Sequence, residues 1–442
     1  MSVHSKDRAT WSTKLDRISE LSAANKKTVF NNIGYLINAG MLKEQYQCLD
    51  GNKAIGIDNV TKASYGKNLE SNIHSLLQRI RRGIYKPKPA RITEIPKEDG
   101  SNKRPLAISC LEDKLVQLAI SKILTSIYEP LFLPYSYGYR PGQNSHNALR
   151  ALSQATYRHP HGAIIEIDIR KYFNTIPHNV LMSILRKKIS DRRFLRLVEV
   201  LITAPILEGK QQKINATGCP QGSICSPIIA NIYLYYVIDE WFESIKQTHL
   251  KGNAELVRFA DDMVFCFARQ DDANRFYKAL PKRLAKAKLE IHDSKSRCLI
   301  AGRLAAKNAE LKGKRLETFQ FLGFTCYWGK SRKGFYRLKF TSRKDRFTAK
   351  LNGLKRYLRQ NLNTPDTVGT VRKVIQVVKG WVNYHAISDN DKRVGSFLEI
   401  VKRILLRWLN RKGGKRRHTW DKLSTALKAP GFPKMWKTVS MF

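Results

Sequence analysis

The chain has 442 residues, enough for a large core and two or three domains. Hydrophobic residues make up 42%, which excludes a disordered tail. Lys plus Arg number 80 against 36 Asp plus Glu, and a formal net charge of +44 repels itself in a compact chain unless a polyanion binds; nucleic acid is therefore the expected partner.

A membrane is disfavoured, because the cations are spread along the whole chain and no run approaches a spanning helix. The N-terminal MSVHSKDRATWSTK has no apolar stretch of signal-peptide length. Cys48, Cys110, Cys219, Cys225, Cys266, Cys298 and Cys326 form no C-x-x-C pair. Neither a zinc site nor a disulfide framework is expected, and a reducing cytoplasm fits best.

In chain order, residues 1 to about 50 read as helical, with apolar residues at helix spacing through TKLDRISELSAANKKTVFNNIGYLINAGML. GIDNVT is a turn-like connector, and NLESNIHSLLQRIRRGIY is an amphipathic helix. Prolines then block helix, and EDGSN supplies a turn between RITEIPK and KRPLAI, which predicts a basic β-hairpin. A helix over LEDKLVQLAISKILTSIYEPL leads to the loop YSYGYRPG. From residue 160 the expected order is strand, helix, loop, helix, strand. AIIEIDI is an apolar strand carrying Glu166 and Asp168, and GCPQGSICSP opens a helix over IIANIYLYYVIDEWF. VRFADDMVFCF is a second apolar run, and TFQFLGFTCYWG is expected as a single strand. This mixture predicts an α+β domain around an antiparallel sheet. Beyond about residue 340 the chain reads as basic and all-helical.

Three acids stand out. Asp168 ends one apolar strand, and Asp261 and Asp262 interrupt another. Unpaired carboxylates in such surroundings neutralise themselves or destabilise the fold. Divalent cations resolve this, because Mg²⁺ prefers hard oxygen ligands and keeps waters for substrate phosphates. Adjacent residues on one strand point to opposite faces, so a shared metal requires a hairpin at Ala260–Asp262. The alternative for DD alone is two solvated aspartates in a tight turn, weakened here by the flanks VRF and MVFCF.

The ordered set IPKEDGSNKRPLAI, EPLFLPYSYGYRPGQNSHNAL, IIEIDIRKYFNTIPH, ATGCPQGSICSPIIANIYL, VRFADDMVF, LEIHDSKS, FQFLGF and GWVNYHAI resembles the reverse transcriptases of group II introns and their bacterial relatives. The resemblance covers nearly the whole chain. It implies an α+β right-hand polymerase followed by a helical thumb or maturase domain. The division would be 1–90 (N-terminal helical extension and start of fingers), 91–340 (fingers and palm) and 341–442 (basic thumb). A bacterial cytoplasm follows as the expected location.

The resemblance also implies roles. Asp168 and Asp261 would hold two Mg²⁺ ions, with Mn²⁺ a substitute, beside Asp262 and the Ile169 carbonyl. Phe173 would be the gate that excludes a ribose 2′-OH. Gln221 and Gly222 would contact the incoming nucleotide and template base, and Lys97 and Arg104 the triphosphate. Lys295 would donate a proton to departing pyrophosphate. For Phe173 the competing reading is core, for Lys97 and Arg104 a solvated basic loop, and for Lys295 a salt-bridged surface lysine. Trp381, Tyr384, Trp408 and Trp420 are expected to pack helices together rather than stack on bases.

The implied activity is RNA-directed DNA synthesis by two-metal nucleotidyl transfer, with RNA template, cDNA product and dNTPs as partners. An RNA-templated RNA polymerase is disfavoured by Phe173. Where the family usually has Tyr-Ala-Asp-Asp this chain has Phe259, and Cys219 stands where Thr is usual. No endonuclease segment is expected after KMWKTVSMF. These features favour an enzyme bound to its own structured RNA, as in antiphage defence, over the alternative of an intron maturase that acts in splicing and retrohoming.

Overall fold

The computed structural model describes residues 3–96, 103–209, 211–213, 215–413, 418–429 and 431–442. Lys97, the EDGSN turn and the residues 414–417 of RKGGKRR lie outside the described residues. The fold mixes helix and sheet. Its strands are β1 (Ala90–Pro96), β2 (Lys103–Ile108), β3 (Gly162–Ile167), β4 (Ile206–Glu208), β5 (Gln211–Lys213), β6 (Ala254–Phe259), β7 (Asp262–Phe267), β8 (Arg297–Ala301), β9 (Phe319–Phe321), β10 (Phe324–Lys330) and β11 (Tyr336–Ser342).

Three sheets result. The first has the order β2-β1-β4-β5, and the expected basic hairpin is its β1–β2 pair, with Arg91 opposite Ile108 and Ile95 opposite Arg104. The second has the order β6-β7-β3-β8, with every neighbouring pair antiparallel. The third has the order β11-β10-β9.

The second sheet is apolar on both sides because both are covered. Ile165, Ile167, Met263, Phe265 and Phe267 enter the largest core, with the helices Leu111–Tyr128, Arg192–Ile202 and Ser226–Leu234. Ile164, Val264 and Cys266 enter a second core, built with the helix Ser145–Arg158 and the third sheet. This is the period-two alternation of a strand whose neighbours lie above and below. A third core joins the helices Lys344–Gln360, Thr367–His385 and Asp391–Lys412 through Phe347, Val378, Phe397 and Trp408.

Four expectations need correction. The N-terminal helix Val3–Ala24 does not continue to Leu42. Asn32 turns left-handed at φ 50°, and Phe30 bridges to Ile189 before a new helix begins at Ala39. The segment after residue 160 carries three helices and the short pair β4–β5, which extends the first sheet through a parallel contact of β4 with β1. The single strand over TFQFLGFTCYWG is a hairpin: Leu322 and Gly323, at φ 48° and 78°, reverse the chain between β9 and β10. The helix over IIANIYLYYVIDEWF contains a π-helical turn at Tyr235–Asp239. Trp381 and Trp408 pack in the third core as expected, whereas Trp420 is 43% exposed.

Candidate active site

β6 and β7 pair so that Phe259 faces Asp262, which leaves Ala260 and Asp261 as a two-residue turn, with Ala260 at φ 56°. The turn follows from the strand register and frees both aspartates from the ladder interior. β3 is the neighbour of β7 and ends one residue before Asp168. A cleft of about 950 Å³ therefore receives Asp168, Asp261 and Asp262 together with Lys295 and Arg104. Glu166, Arg297, Arg343 and Arg346 complete its charged wall.

Electrostatics in the cleft follow burial. Burial raises Asp261 to about 6, and the neighbouring Asp168 charge adds to the rise. Asp262 is pushed up to about 7 by burial, with Asp261, Asp168 and Glu166 contributing. Lys295 Nζ lies 2.9 Å from Asp168 Oδ2, so one cation already answers one of these carboxylates. Glu166 is held by Arg297 Nη2 at 2.8 Å and by the Gln320 amide at 3.1 Å.

The donor set suits a hard divalent ion that retains waters and substrate oxygens. Among the described residues no three His, Cys, Asp or Glu side chains converge as a closed metal cage. Such an ion needs only one or two carboxylates, and Asp168 and Asp261 could supply them. The Leu322 amide donates to Asp262 Oδ2 at 3.2 Å, which ties that carboxylate to the β9–β10 turn. Ile169 forms a bridge with Ile291 whose flanking bonds use the Asp168 carbonyl and the Arg170 amide, not the Ile169 carbonyl.

Phe173, Gln221, Gly222 and Ile169 do not line the cleft itself. The Phe173 carbonyl accepts from the Cys219 amide at 2.7 Å, which fixes the short helix Tyr172–Thr175 to the PQG loop. The Gln221 carbonyl accepts from Ala107 at 2.6 Å, and its Oε1 is buried with no hydrogen-bond partner among the described residues. Gly222, at φ 104°, packs against β2: a Cβ there would lie 2.6 Å from the Ala107 carbonyl oxygen. Protein packing alone thus requires glycine at this position.

The residues beneath the turn were not among those expected from the sequence. Arg258 is fully buried. It donates to both carboxylate oxygens of Asp239, at 2.9 and 2.5 Å, to Asn231 Oδ1 at 3.1 Å and to the Ala260 carbonyl at 3.3 Å. Asn231 Nδ2 donates to the Gly138 carbonyl at 2.6 Å. The one available signal was a charged residue at an inward position of an apolar strand.

The family described as "Reverse transcriptase (RNA-dependent DNA polymerase)" matches residues 95–326, just over half of the chain, and the chain belongs to that family. Within it, the likeness is to group II intron proteins: the family described as "Group II intron, maturase-specific domain" matches residues 345–425. Group II intron-encoded protein LtrA of Lactococcus lactis subsp. cremoris is 31% identical over 309 residues, 69% of this chain and 46% of the relative. An uncharacterized 91 kDa protein in the cob intron of Schizosaccharomyces pombe is 31% identical over 329 residues, 73% of this chain and 38% of the relative. Protein YkfC of Escherichia coli is 34% identical over 207 residues, 46% of this chain and 53% of the relative. The chain spans about half or less of the length of these relatives. Among the described residues no helix is long and apolar enough to cross a membrane.

Proposed function

We propose that the protein is an RNA-directed DNA polymerase. The observation that carries this reading is the pair Asp168 and Asp261, brought from two neighbouring strands to one cation-rimmed cleft. In this reading the first sheet belongs to the fingers, the second to the palm, and the helices from Lys344 to the thumb, with the divisions 1–90, 91–340 and 341–442. The family's chemistry depends on divalent metal in general. Asp168 and Asp261 would hold the ions, with Mg²⁺ the expected choice, Mn²⁺ a substitute and the Ile169 carbonyl a further donor. Bound metal would activate the attacking 3′-hydroxyl and stabilise charge on the leaving pyrophosphate.

The chain's own residues orient and exclude. Arg104, and Lys97 outside the described residues, would neutralise the triphosphate. Phe173 would occupy the space a 2′-OH needs, and the orphaned Gln221 Oε1 would find its partner in a bound nucleotide or template base. Gly222 would let the PQG loop sit close enough for that contact. Lys295, paired with Asp168 in the cleft, would pass a proton to departing pyrophosphate. Asp262 would act by fixing the turn through Leu322 as well as by its charge.

The basic maturase-like helices favour a structured RNA as template and partner. Sequencing RNA that copurifies with the protein identifies it: an excised intron lariat marks a maturase, and a dedicated noncoding RNA marks a defence enzyme. The polymerase reading is tested by dNTP incorporation on a primed RNA template. Asp261→Asn should reduce synthesis by roughly 10³-fold or more, the loss expected when a group central to charge stabilisation is removed. Undiminished synthesis in that variant would refute the metal-site assignment.

A further inference from the structure

Tyr139 stands between Phe173 and Phe259, beside the aspartate turn. Its ring centroid lies 6.5 Å from that of Phe173, edge-on at 80°, and 6.3 Å from that of Phe259 on the aspartate hairpin. The side chain is 55% exposed, so core packing does not explain it. Its backbone is left-handed at φ 56°, an uncommon conformation for a bulky residue.

Both neighbours hold it there. The Gly138 carbonyl accepts from Asn231, and a Cβ on residue 138 would lie 2.3 Å from the Ala260 amide nitrogen, so this backbone is flush against the hairpin turn. Arg140 donates to the carbonyls of Leu133 and Ser136 at 2.8 and 2.7 Å and to Glu129 at 2.9 Å. A strained residue that its surroundings over-determine, with its ring exposed beside the aspartate turn, is characteristic of functional sites. The hydroxyl also feels the charges of Asp261 and Arg104.

We propose that Tyr139 is a further specificity-determining residue, whose ring edge braces Phe173 and so fixes where that ring blocks the ribose 2′-OH of an incoming nucleoside triphosphate. Phe173 is only part-buried, and its ring meets Tyr172 at 5.4 Å and Tyr139 at 6.5 Å. Tyr172 is itself buried and anchored by its hydroxyl to the Ala230 carbonyl. Tyr139 is the exposed one of the two contacts, and it links the gate to Phe259. Loss of the brace lets the Phe173 ring tilt and admit ribose. The inference rests on the reading of Phe173 as the gate.

The experiment compares catalytic efficiency with dCTP and with CTP in primer extension by wild type, Phe173→Ala, Tyr139→Ala and Tyr139→Phe. Tyr139→Ala should lower the preference for dCTP by roughly three- to tenfold, the equivalent of one aromatic pair. Tyr139→Phe, which keeps the edge, should hold the ratio. If Phe173→Ala relaxes the preference and Tyr139→Ala does not, the brace is wrong and the gate stands. If Phe173→Ala leaves the preference intact, the gate reading fails and the brace falls with it. Equal relaxation in Tyr139→Phe would assign the effect to the hydroxyl and overturn the brace. A wild type that extends no primer refutes the polymerase reading and this inference together. Should Tyr139→Ala be too slow to measure, Tyr139→Leu is read in the same way.

Discussion

Arg258 is the residue on which the aspartate turn depends. Its guanidinium closes a buried ion pair with Asp239 and spends its remaining reach on Asn231 and the Ala260 carbonyl. Breaking a buried pair from one side strands the other charge, so Arg258→Ala should cost about 3–5 kcal/mol in denaturant unfolding. The double replacement Arg258→Met with Asp239→Leu should recover most of that stability, since apolar residues of similar volume often substitute well for buried ions. Primer extension should stay depressed in the double variant, because no donor holds the Ala260 carbonyl. Recovery of activity together with stability would make the network structural only. Sequence reading singled out Asp261 and Asp262 because charge inside an apolar run is conspicuous. It missed Arg258 as a clamp because its partners lie 19 and 27 residues away. Only the fold brings them under the turn.

Among the elements, those with local punctuation were legible and those shaped by contacts were not. The β1–β2 hairpin had prolines to forbid helix and an Asp–Gly turn signal. The β9–β10 hairpin had neither: its reversal uses Leu322 in a left-handed conformation that leucine rarely adopts, stabilised by Asp262 on the Leu322 amide and by the Tyr384 hydroxyl on its carbonyl. The π turn at Tyr235–Asp239 leaves no mark in the hydrophobic pattern, yet it includes the Arg258 partner Asp239, as π turns near functional sites often do. The helices Lys344–Gln360 and Thr367–His385 carry a different anomaly. Gly353 and Gly380 lie in helix interiors on the walls of one groove, where a Cβ would meet nothing within 4 Å. Alanine at each should stabilise the protein by about 0.5–1 kcal/mol, read as a higher melting temperature. The groove also carries Arg343, Lys344, Lys350, Arg356 and Lys373 against the single acid Asp345. If a nucleic-acid duplex uses the space, the same alanines should weaken binding of a primer–template, and unchanged affinity would place the duplex elsewhere.

At the scale of the whole molecule, the sheets and the basic helices meet in a polar junction. Ser342 ends β11 and shares its hydroxyl with His385 Nδ1 at 2.9 Å and Asn390 Nδ2 at 2.8 Å. Asn390 Oδ1 accepts from the Ser342 amide, and the His385 ring stacks 4.3 Å from Trp381. Burial holds His385 down to about 3, with Arg346 and Lys350 opposing its charge further. The unfolded imidazole takes up its proton near 6.5, well above the folded value, so the unfolded state binds more protons between the two. Stability should therefore fall as pH drops from about 6.5 toward 3, with a slope of at most about 1.4 kcal/mol per pH unit from this group. His385→Gln should flatten that part of the curve in melting experiments from pH 7.5 to pH 4, and an unchanged slope would assign acid sensitivity to other groups. The α+β core and the helical C-terminal region were readable from composition and period. The junction was not, because GWVNYHAI and the end of β11 look like separate elements until a histidine and a serine meet.

The two-residue turn between Phe259 and Asp262 has one last consequence. Side chains of β7 alternate between two filled cores, with Met263, Phe265 and Phe267 on one side and Val264 and Cys266 on the other. A one-residue slip of β7 against its neighbours would exchange these two sets. Small and large side chains would then trade places in both cores at once, and Asp262 would leave Leu322. The spacing of the acid-bearing hairpin is thus held by packing on both faces of β7, away from the chemistry.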